Sequence, residues 1–348
     1  MSNTNFLFLG TQKGLRLYRG GDDHWEEAAR HFSGVVDFLD GSTRHPEMVY
    51  CCILHDGLYR TNDAGKNWQR VLEGDVRTVA VDPSDDHVVY AGTEPVHLYR
   101  SENGGDSWEE LGSLLDLPDE VKTNWKSPQP DHEGHIRHIY INPKRPRTLY
   151  LSLEHGGIVR SFDRGKSWED VSRGIDYLDI HKIANHPAQE DLYLVSSARG
   201  FFRSTNPTQG WDRMEGKGIS RDYFHDFLFL PGNPPAMLIA TANGSPGYWS
   251  RPGMAQSAIF RSFDGESWSQ IGQGLPPSME KMVWALASSP VQPTYVYAGY
   301  GQSDKGQAET RKMPTGPGAV WFSPDKGSSC REIRIGELPA VRSLWISA

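Results

Sequence analysis

One short phrase recurs along the whole chain and constrains its fold more than any other feature. It reads RTNDAGKNW at 60–68, RSENGGDSW at 100–108, RSFDRGKSW at 160–168, RSTNPTQGW at 203–211 and RSFDGESW at 261–268. FSPDKGSSC at 322–330 keeps the Ser, Asp and Gly but ends in Cys, and GGDDHW at 20–25 is a worn copy. Self-similarity of this kind marks an array of one supersecondary unit. Each copy follows a short apolar strand such as GLYR, HLYR, GIVR or GFFR and precedes a second short stretch such as QRV, EEL or EDV, so it is a hairpin turn. Asp or Asn bonds nearby backbone N–H groups, Gly supplies positive φ, and Trp packs the turn against its strands. Seven copies imply seven blades.

A second phrase lies between the turns, an inner strand ending at a proline and followed by an apolar strand. Examples are DVRTVAVDP then HVVYAG, HIRHIYINP then TLYLSL, DIHKIANHP then DLYLVS, YFHDFLFLP then MLIAT, and VWALASSP then YVYAGY. Each blade therefore has four strands. The N-terminal FLFLGTQKGLRLYR supplies the second and third strands of a blade but no first, and the last segment, AVRSLWIS, is the missing one. Closure by the two termini leaves no open edge for aggregation. The expectation is an all-β chain, a seven-bladed β-propeller of four-stranded antiparallel blades forming one domain over residues 1–348.

Composition agrees. Helix-favouring runs are scarce, while 36 Gly, 23 Pro and 11 Trp suit many short strands separated by turns. Three cysteines, two of them adjacent at 51 and 52, give no disulfide framework and fit a reducing compartment. The start, MSNTNFLFLG, has no basic region before an apolar run, and no stretch reaches the length of a membrane span, so the expected location is cytoplasmic. A net charge of -8, with Lys and Arg dispersed, lacks the basic stripe that nucleic-acid binding needs.

The repeated turn resembles the Asp-box, or BNR repeat, of sialidases, sortilin-type receptors and the photosystem II assembly factor, all of which are propellers. The resemblance covers nearly the whole chain and implies the fold. It implies little about function, because that turn lies at the periphery of a blade and serves unrelated activities. Asp63, Asp163, Asp264 and Asp325 are accordingly read as structural.

Candidate functional positions come from aligning the inner strands on Pro83, Pro143, Pro187, Pro231 and Pro290. Seven residues earlier stand Val76, Ile136, Ile180, Phe224 and Val283, which pack between blades. Six earlier stand Arg77, Arg137, His181, His225 and Trp284, matched by Arg342 in the closing strand; eight earlier stand Asp75, His135, Asp179, Tyr223 and Met282. Alternation points both sets away from the apolar one, toward the channel mouth. Three insertions, 113–134, 242–256 and 300–316, fall in connections of the same face, and shorter loops there add Lys13, His55, Glu94, Glu154, His155 and Arg199.

Three readings stay open. In the first, Glu154 and Asp179 are paired carboxylates of a glycoside hydrolase. A sialidase would further need an arginine triad, which Arg77, Arg137 and Arg342 could imitate, and a nucleophile that Tyr223 could imitate. The early Phe/Tyr-Arg-Ile-Pro segment that the resemblance calls for is missing. In the second, His135, His181 and His225 converge from three successive inner strands and hold a divalent metal, which would serve a hydrolase or lyase; the competing account is histidines bonded to backbone and water. The arginines and Trp284 would bind a polar or anionic small molecule. In the third the ring is a non-catalytic scaffold for a protein partner, as the photosystem II assembly factor is. No phosphate loop, dinucleotide fingerprint or GxSxG elbow offers another route.

Overall fold

The structure is a computed structural model that describes residues 5–126, 133–246, 249, 255–276, 278–302 and 317–348. These residues form seven antiparallel blades of four strands, as expected of a seven-bladed β-propeller. The first blade runs Val341–Ser347, Asn5–Thr11, Gly14–Gly21, His24–His31, so the C-terminal strand is its inner strand and closes it. The inner strands of blades two to seven are Val36–Gly41, Val76–Asp82, Ile136–Ile141, Ile180–His186, Tyr223–Leu230 and Met282–Ser288. In blade seven an extra strand, Leu338–Pro339, pairs with Pro317–Ser323.

The chain divides into two compact units. One comprises Met1–Asp37 with Glu215–Ala348, and the other Phe38–Met214. Within the second unit apolar strands interleave between neighbouring blades, as where Val89 and Ala91 of blade three pack with Tyr50 and Leu58 of blade two. Within the first, Leu7, Leu9 and Val341 pack with Tyr297 and Phe322 of blade seven.

Each repeated turn is held by its own polar side chains. Ser161 Oγ donates to Asp163 Oδ1 at 2.8 Å and accepts the Gly165 N–H at 2.8 Å, while Asp163 accepts the Ser167 N–H at 2.9 Å and its hydroxyl at 2.7 Å. The same pattern recurs at Thr61–Asp63, Ser262–Asp264 and Ser323–Asp325. These carboxylates are engaged inside the turn, as the structural reading requires. Gly165 has φ +86, and a Cβ there would meet Leu111 Cδ1 at 2.6 Å, so both conformation and space demand glycine. An arginine ahead of the turn reaches the next blade: Arg60 Nη1 donates to Gly104 O at 2.5 Å, Arg160 reaches Thr208, and Arg261 donates to Ser328 Oγ at 2.8 Å.

One element went unread in the sequence. The inner strand of blade two, Val36–Gly41, is followed by the longer turn Ser42–Pro46, so its proline falls ten residues after the apolar position instead of seven. Val36 is buried like Val76, which makes Asp37 the counterpart of Arg77. The first insertion is also more ordered than a loop. Its described part holds a 3-10 helix, Gly112–Asp116, and a helical turn, Asp119–Lys122, with Leu114 and Leu117 buried in the core of blades three and four. Residues 127–132, most of 247–254 and all of 303–316, on which the remaining insertion readings fall, lie outside the described residues.

Candidate functional site

A β-bulge sets the site. In blade three the pairing passes from Val76↔Thr93 to Thr78↔Gly92 and skips Arg77; Arg137, His181, Trp284 and Arg342 are skipped in the same way, and in blade six the shift spans His225 and Asp226. A bulge leaves its extra residue unpaired and re-aims its side chain. Simple alternation does not foresee that. A second repeated feature ties the loop between second and third strands to the residue ahead of the inner strand. The Glu94 N–H bonds Asp75 O, the Glu154 N–H bonds His135 O, and the Ala198 N–H bonds Asp179 O, each at 3.0 Å. Three homologous triplets follow: Asp75, Arg77, Glu94 in blade three; His135, Arg137, Glu154 in blade four; Asp179, His181, Ala198 in blade five.

All belong to the second unit, and they form one row of alternating charge. Arg77 Nη2 lies 3.3 Å from Glu94 Oε2 and its Nη1 3.6 Å from Asp75 Oδ1. His135 stands between two acids, with Nδ1 3.3 Å from Glu94 Oε2 and Nε2 3.0 Å from Glu154 Oε2. Arg137 Nη1 donates to Glu154 Oε2 at 2.5 Å. His181 Nε2 lies 3.5 Å from Asp179 Oδ1. Glu154, His155 and Asp179 each offer an atom to a group whose members lie within 4.8 Å of one another. Burial would raise the Asp179 carboxyl, but the His181 imidazole outweighs it and holds the group below the usual carboxylate range.

A further relation was readable but unread. His55 and His155 precede equivalent glycines in ILHDG and LEHGG, and both have positive φ, +58 and +59. Each addresses the aspartate ahead of the next inner strand: His55 Nδ1 lies 3.0 Å from Asp75 Oδ2, and His155 joins the Asp179 group. Where blade two has Leu54, blade four has Glu154.

The other candidates sit in the first unit. Arg342 pairs with Asp37, the counterpart position missed in the sequence. Tyr223 and Trp284 are buried, 2% and 4% exposed, in an aromatic cluster with Trp249 and His225; the Trp284 ring meets His225 edge-on at 5.0 Å, and its N–H bonds Gly301 O at 2.9 Å. Within its unit each of the three arginines expected to receive an anion is already faced by a carboxylate.

No family model matches the chain. A probable oligoxyloglucan-reducing end-specific xyloglucanase of Neosartorya fischeri is 22% identical over 211 residues, covering 52% of this chain and 24% of its own. Among solved structures, the GH74 xyloglucanase from Xanthomonas campestris aligns with a TM-score of 0.61 at 16% identity, over 86% of this chain and 45% of that one. YCF48 bound to D1 peptide aligns with a TM-score of 0.54 at 19% identity, over 85% and 80%. The chain thus spans about a quarter of the curated relative's length and under half of the xyloglucanase structure. At these identities the structural likeness establishes the propeller fold.

Proposed function

We propose that the chain binds and hydrolyses a neutral, glycan-like substrate at the charged row of blades three to five, with Glu154 and Asp179 as its carboxylate pair. The observation that carries this reading is the approach of those two carboxylates to within 4.8 Å. Two carboxylates brought together in this way are what glycoside hydrolysis needs, one as general acid and the other as base or nucleophile. Asp179, held ionised by His181, fits the nucleophile or charge-stabilising role rather than that of the acid. Glu154, between Arg137 and His135, is its partner. A neutral substrate fits better than an anionic one, because Arg77 and Arg137 are each faced by a carboxylate. The sequence similarity to a probable xyloglucanase points the same way. Kinship with the Asp-box propellers, suggested by the repeated turn, belongs to the same proposal, as does a cytoplasmic location.

A panel of neutral and acidic chromogenic glycosides, with xyloglucan oligosaccharides included, tests the reading. Turnover of neutral members supports it; silence across the panel would sink it.

The second reading, a docking platform for a protein or peptide, is favoured by the match to YCF48 bound to D1 peptide over 80% of that chain. Capture of a defined peptide partner that is lost when the insertion 113–126 is shortened would support it. Unchanged capture would reject that docking face.

A further inference from the structure

One repeated position of the loop between second and third strands takes no part in the carboxylate pair. The residue directly after Leu54, Glu154 and Ala198 is His55, His155 and Arg199 respectively. The two histidines address aspartates, Asp75 and Asp179. Arg199 departs from that pattern: its guanidinium carbon stands 4.3 Å from the centre of the Tyr177 ring, and among the described residues it has no carboxylate at ion-pair distance. We infer that Tyr177 and Arg199 form a subsite for a neutral sugar unit next to the one held at Glu154 and Asp179. The substrate is then an oligosaccharide, and the subsite rests on the proposed site being the working one.

Place and construction both support it. Tyr177 stands two residues ahead of Asp179 and is half-buried, with the His155 ring edge-on to it at 6.2 Å. Burial holds its phenol above the ordinary value, and the negative charge of Asp179 and then of Glu154 adds to that, which puts the hydroxyl in the field of the carboxylate pair. Arg199 is exposed, yet its backbone is fixed on both sides: its N–H bonds Ser197 Oγ at 3.2 Å, and its carbonyl accepts from the Arg213 guanidinium. That guanidinium also bonds Asp176 Oδ2 at 3.1 Å, so it ties the loop of Arg199 to the segment that carries Tyr177. A surface held in place before its ligand arrives binds at a smaller entropy cost.

The chemistry selects the ligand. A sugar ring has apolar C–H faces and a rim of hydroxyls, and an aromatic ring beside a planar set of N–H donors complements both. The Tyr177 face holds the Arg199 guanidinium as a cation over a ring, while the exposed N–H groups stay available to hydroxyl oxygens. An anionic unit is disfavoured there by the carboxylates of Asp179 and Glu154. Blade five also has Ala198 where blades three and four have Glu94 and Glu154, so it adds no glutamate to compete for Arg199.

The test is isothermal titration of the full chain carrying Glu154→Gln, so that bound glycan is not cleaved. The probes are cellotetraose, mannotetraose, a xyloglucan oligosaccharide and tetragalacturonate, with glucose and mannose for comparison. At least one neutral oligosaccharide should bind about tenfold more tightly than the monosaccharides, and Tyr177→Ala and Arg199→Ala should each remove most of that gain while Tyr177→Phe keeps it. Unfolding temperatures identify a variant that has lost its fold, and the exposed Arg199 supplies the reading where Tyr177→Ala does not fold. No binding of any neutral oligosaccharide, affinity that does not grow with length, a gain indifferent to both substitutions, or a preference for tetragalacturonate would overturn the inference. Oligosaccharide hydrolysis with a KM unmoved by Tyr177→Ala and Arg199→Ala would overturn it while leaving the proposed function standing. A length-dependent gain that both substitutions remove, with no glycoside cleaved, would do the reverse.

Discussion

Arg137 Nη1 donates a 2.5 Å hydrogen bond to Glu154 Oε2, an oxygen that also lies 3.0 Å from His135 Nε2. The arginine is the bulged residue of its inner strand, so the contact exists because the strand breaks its alternation there. Removing the guanidinium leaves a largely enclosed carboxylate beside one imidazole. Arg137→Ala should lower unfolding free energy by about 2 kcal/mol, the scale of a hydrogen bond to a charged group, with part of the loss recovered in Arg137→Lys. Urea titration measures it, and a change below a few tenths of a kcal/mol would show the pair to be solvent-screened.

The repeated turns predict an acid-labile component of stability. The Asn67 N–H holds the Asp63 carboxyl down to about 2, and the Ser267 N–H does the same for Asp264. A carboxyl whose folded value lies below its ordinary one near 3.8 stabilises the fold fully above that pH, and the contribution fades as pH falls through about 2. Urea midpoints recorded from pH 5 to pH 2 should decline, and the decline should be shallower in Asp63→Asn and Asp264→Asn. Identical slopes would contradict the assignment.

His138 acts in a different window. Desolvation, with repulsion from Lys182 adding to it, pushes its imidazole down to about 3. The unfolded chain then takes up a proton near pH 6.5 that the fold refuses, so stability should drop as pH falls from about 6.5 toward 3. His138→Gln should flatten the profile between pH 6.5 and 4.5, and a profile unchanged by that substitution would count against the assignment.

Closure of the first blade makes the C-terminus indispensable. Deleting residues 341–348 removes the inner strand from Asn5–Thr11, together with the Arg342 partner of Asp37. The exposed strand FLFLG would be an unprotected apolar edge. The truncated chain should be recovered mainly as aggregate in size-exclusion chromatography; a monodisperse monomer would show that the blade does not depend on the closing strand.

The fold was legible because its signal is local: Asp, Gly and Trp at fixed offsets satisfy one turn wherever they occur. The closing strand was legible as the one segment left without a blade. Asp37 was hidden because the turn after its strand is three residues longer, which moved the proline used for alignment. Val76, Ile136 and Ile180 could be placed by burial pattern, but the pairing of Arg77 with Glu94 and of Arg137 with Glu154 depends on a bulge joined to a loop, a combination that period-two alternation does not encode. Tyr223 and Trp284 show the converse. Their types suggested a nucleophile and a substrate-binding residue, while tertiary packing placed them inside an aromatic cluster.

The central claim is that Glu154 and Asp179 do chemistry on a neutral glycan. Initial rates on the best substrate of the glycoside panel, compared for the native chain, Glu154→Gln and Asp179→Asn, test it most directly. Each substitution keeps side-chain size, and each should lower kcat/KM at least a hundredfold, about 3 kcal/mol of transition-state stabilisation, with the unfolding temperature within a few degrees of native. Native-like rates in either well-folded variant would contradict the claim.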